Sequence, residues 1–285
     1  MRLSQKITWI PYELMRKIKN KKRNFIKLDF GKIGLKRKFK FYLPKDDEGL
    51  SSQLISFGFR EPLNLRYSYK FVSKSDKVLD IGSNIGLFPL LSENAKEIIC
   101  VEPLKEAIPT LEKNIKENGL SNKTKIINAA VGKKGKLIIE VDKKLNLSRI
   151  INEKSDNSYE IKSFELKDLV RKYKSNYLRM DVEGYEYEIL LNKVPKRIKK
   201  ISIEFHTGLL GRKKTNDLLS YFKKEKFKAS YFIEDLPLRL YPFYSILRKF
   251  GLVNLFSYVK KDESINGVLE SIDKGRKVKY LFLER

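Results

Sequence analysis

Val78-Leu79-Asp80-Ile81-Gly82-Ser83-Asn84-Ile85-Gly86 is the stretch that decides the fold. The compact apolar run Lys77–Ile81 reads as a buried strand, and the residues from 86 to 96 read as a helix. Between them Gly82 lets the chain turn sharply and approach a ligand with no Cβ in the way. Gly86 opens the helix. The Gly-x-Gly-x-x-Gly pattern of a dinucleotide loop is absent, so the spacing fits a nucleoside with an amino-acid tail better than a pyrophosphate. Asp80, at the strand's end, can accept from the ammonium of such a tail. One strand-turn-helix-strand unit later comes Cys100-Val101-Glu102-Pro103. A carboxylate there can accept both ribose hydroxyls, the role that Rossmann-type sites give this position. A nicotinamide enzyme remains compatible with this pair alone.

Working outward, strands and helices alternate. Further strands are expected at Ile98–Val101, Ile126–Ile127, Tyr177–Asp181 and Ile201–Phe205, with helices over 104–118, 164–173, 185–192 and 214–226. This alternation predicts an α/β fold of the Rossmann-like kind, a mainly parallel sheet with helices on both faces. Leu137–Val141 reads as an extra strand, and Lys279–Leu283 as an antiparallel last one. Upstream, residues 9–23 read as a basic amphipathic helix. Ile26-Leu28-Phe30 and Phe39-Phe41-Leu43 read as a hairpin, and a helical stretch then runs to about Val72. The expected organisation is an N-terminal extension over 1–70 and a catalytic domain over 71–285. A helical insertion is expected at 236–277. Phe243, Ile246, Leu247 and Phe250, then Leu252, Leu255, Phe256 and Val259, give it two apolar stripes at helical spacing.

The chain has 285 residues, 61 basic against 35 acidic, and a net charge of +26. A hydrophobic content of 41% supports a real core. The lone Cys100 excludes an internal disulfide framework, and the lone His206 excludes a two-histidine metal site. No run approaches the ~18 uninterrupted apolar residues of a membrane span. The N-terminus lacks the apolar block of a secretory signal, so a cytoplasmic location is expected. The charge invites a nucleic-acid partner, but Lys-Lys pairs are scattered along the whole chain, as on solvated faces. Only Lys17–Arg23 is a dense run.

Residues 60–206 resemble the FkbM family of S-adenosylmethionine-dependent methyltransferases. Arg60-Glu61-Pro62 matches the family's Glu-Pro before the first strand. Val78–Gly86 matches its Val-x-Asp-x-Gly-Ala-Asn-x-Gly, with Ser83 in place of alanine. Glu102-Pro103, Leu111-Glu112-Lys113-Asn114-Ile115 and Asn118-Gly119 match its next run, and Ala129-Ala130-Val131-Gly132 its Ala-Val-Gly turn. Met180-Asp181-Val182-Glu183-Gly184-Tyr185-Glu186 matches Asp-x-Glu-Gly-x-Glu, and Glu204-Phe205-His206 matches Glu-x-His. The chain departs from the family at Phe164–Leu169, where Glu-Leu-Lys-Asp replaces Thr/Arg-Leu-Asp-Asp. The resemblance implies S-adenosylmethionine as cofactor, bound by Glu61, Asp80, Gly82, Ser83, Asn84, Gly86 and Glu102. Asn128 and Ala129, which end the third strand, are expected against the adenine.

The resemblance further implies methyl transfer, in this family usually to a hydroxyl. In-line alignment is the chief demand, worth roughly 7–11 kcal/mol, and a base for the hydroxyl proton adds perhaps ~10²–10⁴-fold. Asp181 and Glu183, at the carboxyl end of the fourth strand, are expected to share a face. Glu186 reads as a cap on the following helix. His206, oriented by Glu204, is the expected base near neutral pH. Asp181, Glu183, Glu204 and His206 can alternatively hold a divalent cation; a metal-free mechanism is the preferred expectation. The expected acceptor is a sugar, glycan or small metabolite. An RNA methyltransferase is the alternative that the charge suggests, but acidic Asp181-Val182-Glu183-Gly184 would repel phosphates. Peripheral membrane contact is expected through the basic helix 9–23 and the aromatic segment 236–261, which holds Phe243, Tyr244, Phe250, Phe256 and Tyr258.

Overall fold

In the computed structural model, residues 25–35, 37–44, 54, 61–235, 257–274 and 277–285 are described. The expected helix 9–23, Arg60 and most of the 236–261 segment lie outside them. An eight-stranded sheet forms the centre. Its parallel half is built from β3 (Lys77–Ile81), β4 (Glu97–Glu102), β5 (Thr124–Asn128), β10 (Tyr177–Met180) and β11 (Lys200–Glu204). Its other half holds β12 (Lys228–Asp235), β13 (Ser257–Glu263) and β14 (Lys277–Glu284), and the order across the sheet is β13-β12-β14-β11-β10-β3-β4-β5. β3 therefore lies at the centre, parallel to β10 and β4.

Alternation along each strand feeds two cores. Leu79, Ile81, Ile99, Val101, Leu178 and Met180 point to one face. There they meet α4 (Leu166–Tyr173), α5 (Glu186–Leu190) and α6 (Thr207–Lys224). Val78, Ile98, Cys100 and Tyr177 point to the other. They pack under α1 (Pro62–Phe71), α2 (Leu87–Leu91), α3 (Ile108–Glu117) and the antiparallel pair β1 (Phe25–Asp29) and β2 (Lys38–Tyr42). Each fully buried aliphatic side chain contributes about 1.5–3 kcal/mol.

Two asparagines of α3 and its C-cap dock the hairpin. The fully buried Asn114 accepts from Tyr42 N at 2.6 Å and donates to Tyr42 O at 3.0 Å and to Ile85 O at 2.7 Å. Asn118 accepts from Lys40 N at 3.1 Å and donates to Lys40 O at 2.8 Å. The side-chain amides thus act as a short extra strand on the free edge of β2.

β14 is the antiparallel last strand that the sequence predicts, seated between β11 and β12. Two elements differ from the sequence expectation. The second apolar stripe of the expected helical insertion ends in a strand, because Val259 pairs with Ile233 in β13; the helix that follows is α7 (Ile265–Asp273). Residues 130–164 form a separate four-stranded sheet, ordered β6-β9-β7-β8, from β6 (Ala130–Val131), β7 (Gly135–Glu140), β8 (Arg149–Ile151) and β9 (Ser158–Phe164). No helix among the described residues is long and apolar enough to cross a membrane.

Candidate active site

A cleft of about 1150 Å³, counting its open mouth, lies beyond the carboxyl ends of β3, β4 and β10. Gly82, Ser83, Asn84 and Glu102 line one part of it, and Asp181, Glu183 and Glu204 another. Glu61 lines it from the start of α1, and Ser148, Arg149 and Ile150 from the second sheet. Carboxyl edges of parallel strands are where such folds bind ligands.

Backbone bonds shape the loop. Gly82 N donates to Val101 O at 2.9 Å, and Gly86 N to Ser83 O at 2.9 Å. Gly82, Asn84 and Gly86 all have left-handed φ. At Gly82 the missing Cβ makes room for protein rather than ligand: a Cβ there would lie 1.8 Å from the carbonyl oxygen of Asp181. Glu102 ties the loop to its own strand, accepting from Asn84 N at 2.7 Å and Leu104 N at 2.8 Å. Burial pushes its carboxyl up to about 7, against the pull of these two N–H donors. Its two oxygens keep acceptor capacity beyond these bonds, at the cleft wall.

Four expected cofactor residues and the expected base have other surroundings. Asp80 is fully buried beneath the cleft and does not line it; its Oδ1 takes Arg179 Nη1 at 3.1 Å. Burial raises its carboxyl, and the neighbouring guanidinium opposes the shift. Gly86 packs on Leu111, where a Cβ would lie 2.8 Å from its Cδ1. Asn128 spends its amide on the carbonyls of Glu102 and Pro103, at 2.9 and 3.1 Å. Ala129 lies in the core, and the neighbouring Ala130 and Val131 line the cleft instead. His206 also stands outside the lining, against Glu183 and Glu186.

Arg179 is the residue that the motif reading missed. It lines the cleft and joins its two halves, with Nη1 on Gly82 O at 2.8 Å and on Asp80, and Nη2 on Asp181 Oδ2 at 3.1 Å. Its guanidinium lies 4.9 Å from the centre of the Phe88 ring. Burial works against its charge, and Asp80, Asp181 and Glu204 outweigh that. The signal was present: a lone cation inside the apolar strand Tyr177–Met180 is rarely buried without a partner.

His206 does not have the environment of a neutral base. Nδ1 is 2.5 Å from Glu186 Oε1, and Nε2 is 3.3 Å from Glu183 Oε2 and 3.8 Å from Glu204 Oε1. Burial alone would lower its pKa. The Glu186 contact and the charges of Asp181, Glu186 and Glu204 outweigh burial and push it up to about 10. With the cluster in this state the imidazole is a cation at neutral pH. Of this cluster, the carboxylates of Asp181, Glu183 and Glu204 line the cleft. Glu186 is more than a helix cap: it is fully buried and holds His206.

A family model described as the methyltransferase FkbM domain matches residues 80–229. No curated protein matches the chain in sequence. Among solved structures, one similar chain is a protein of the NADB-Rossmann superfamily from Streptococcus agalactiae. It shares 14% identity over 80% of this chain and 68% of that one, with a TM-score of 0.42. Another is the FkbM methyltransferase from Methylobacillus flagellatus, with 18% identity, 61% and 49% coverage and a TM-score of 0.37. A third is Trm5 of Methanocaldococcus jannaschii, solved in complex with adenosine, with 17% identity, 67% and 45% coverage and a TM-score of 0.39. The chain thus spans about half the length of the latter two proteins.

Proposed function

The chain belongs to the FkbM family of S-adenosylmethionine-dependent methyltransferases, and on that premise we propose that it methylates a hydroxyl of a neutral, polyhydroxylated acceptor such as a sugar or glycan. The charge of the cleft carries this reading. Among the described residues five acids line it, Glu61, Glu102, Asp181, Glu183 and Glu204, against the two cations Arg149 and Arg179. A chain of net charge +26 thus turns an acidic surface toward its substrate. Phosphate-rich acceptors are repelled there, while hydroxyl groups find carboxylate acceptors. This argues against RNA.

The residues present fit the cofactor. Glu102 offers acceptor oxygens at the cleft wall for the two ribose hydroxyls, and the Gly82–Asn84 backbone borders the same space. S-adenosylmethionine supplies an electrophilic methyl on a sulfonium. Asp181 orients the acceptor oxygen, and Glu183 takes the one proton that it gives up on methylation. Arg179 holds Asp181 and the Gly82 carbonyl in fixed relation, which sets the alignment that the displacement needs.

Methyl-labelled S-adenosylmethionine, offered with a panel of sugars and glycans and in parallel with transfer RNA and ribosomal RNA, tests the reading. Label in an alkali-stable ether on a glycan is the expected result. Label in RNA, with none in glycans, would overturn it.

A further inference from the structure

His206 presents its two ring nitrogens to different groups. Nδ1 meets the fully buried Glu186, and Nε2 faces Glu183 at 3.3 Å and Glu204 at 3.8 Å. A carboxylate behind one imidazole nitrogen, with the other facing oxygen donors, is the arrangement that orients a metal-bound histidine. One donor atom each of Asp181, Glu204 and His206 lies within 4.8 Å of the other two. That is close to the span of ligands around one ion at bonds of roughly 2.0–2.2 Å.

Two further observations point to a cation-binding site. Asp181 Oδ1 and Glu186 Oε2 are buried and have no hydrogen-bond partner among the described residues. Glu186 is fully buried, and its other oxygen is already on the imidazole. Around Arg179 and His206 stand the carboxylates of Asp80, Asp181, Glu183, Glu186 and Glu204. Negative charge in that excess is costly away from water unless something positive joins it.

We propose that Asp181, Glu204 and His206 hold a divalent transition-metal ion of the Mn²⁺ class, and that the acceptor hydroxyl binds at its open positions. One imidazole nitrogen with two carboxylate oxygens suits such an ion, and three protein ligands leave coordination sites open. The ion takes the Nε2 lone pair, and any proton on that nitrogen leaves to solvent. A hydroxyl bound to the ion becomes more acidic. Glu183, outside the three ligands, accepts its proton while the oxygen gains the methyl and the donor is left as a neutral thioether. The purpose of the site rests on the methyltransferase reading; its existence does not.

The test uses the full untagged chain, stripped with a chelator and titrated with Mn²⁺ alone under electron paramagnetic resonance. Because His206 is the only histidine, nitrogen coupling from one imidazole to bound Mn²⁺ identifies the ligand without any variant. One ion per chain with that coupling is expected. Glu186→Gln should weaken Mn²⁺ binding about 10–100-fold and leave S-adenosylmethionine affinity unchanged. Absence of bound Mn²⁺ at millimolar concentration, or bound Mn²⁺ without imidazole coupling, overturns the site. Calorimetry with S-adenosylmethionine on the stripped chain separates the two readings. Cofactor binding without Mn²⁺ binding removes the metal alone, and Mn²⁺ binding without cofactor binding supports the site while removing the methyltransferase reading.

Discussion

Cofactor affinity should depend on pH through one carboxyl group. Glu102 is buried at the cleft wall, and burial raises its pKa to about 7 despite N–H donors at 2.7 and 2.8 Å. Two ribose hydroxyls need it ionised. The apparent dissociation constant is then the intrinsic one multiplied by one plus the ratio of protonated to ionised Glu102. Lowering the pH from 7.5 to 5.5 should weaken binding about 25-fold. The sign is fixed by the direction of the shift: a raised carboxyl pKa keeps the group neutral to higher pH, so affinity grows as pH rises through about 7. Calorimetry with S-adenosylhomocysteine, which cannot react, reads the effect. Glu102→Gln should flatten the profile. At pH 7.5 it should weaken binding by roughly 1.5–3 kcal/mol, the worth of charge-assisted bonds. A flat profile in the wild type, or a Glu102→Gln variant that binds like it, would refute the ribose assignment.

The other predictions concern the frame around the cleft. Gly82→Ala forces a Cβ to within 1.8 Å of the Asp181 carbonyl at a left-handed φ; it should abolish cofactor binding or soluble expression, and wild-type melting would show the close approach to be wrong. Arg179→Met leaves the buried Asp80 without its cation and should cost roughly 3–5 kcal/mol in urea denaturation; adding Asp80→Asn should recover much of that, and no recovery would break the pairing argument. Asn114→Ala strips the partner from Tyr42 N–H and should cost on the order of 2–3 kcal/mol. Hydrogen exchange at Tyr42 should accelerate in that variant, and unchanged protection would place the docking elsewhere.

The parallel half of the sheet was legible because strands such as Lys77–Ile81 and Ile98–Val101 are short apolar runs between turn signals, buried on both faces. β9 was not. Ser-Tyr-Glu-Ile-Lys-Ser-Phe is half polar, and its pairing with β7 is a long-range event. β13 was misread because Leu255, Phe256 and Val259 share a spacing that also suits a helix; pairing with β12 decides the matter at Val259. At the site, glycines and acids were readable because turn geometry and ligand chemistry restrict residue type. The environments of Asp80 and His206 were not, since both depend on neighbours distant in sequence. Arg179 covers Asp80 from an adjacent strand, and Glu186 and Glu183 surround an imidazole that follows a different one.

Asn114 and Asn118 hold the main chain of β2, while Glu117 of the same helix takes the side chains of Lys40 at 2.9 Å and Tyr42 at 3.2 Å. Substitutions at Lys40 or Tyr42 remove the Glu117 contacts but keep the main-chain part of the joint, and a proline at either place removes the N–H it requires. Asn114 also holds the Ile85 carbonyl of the glycine loop, so the hairpin and the loop share one anchor. One side-chain amide is thus the pin shared by the N-terminal hairpin and the glycine loop beneath it.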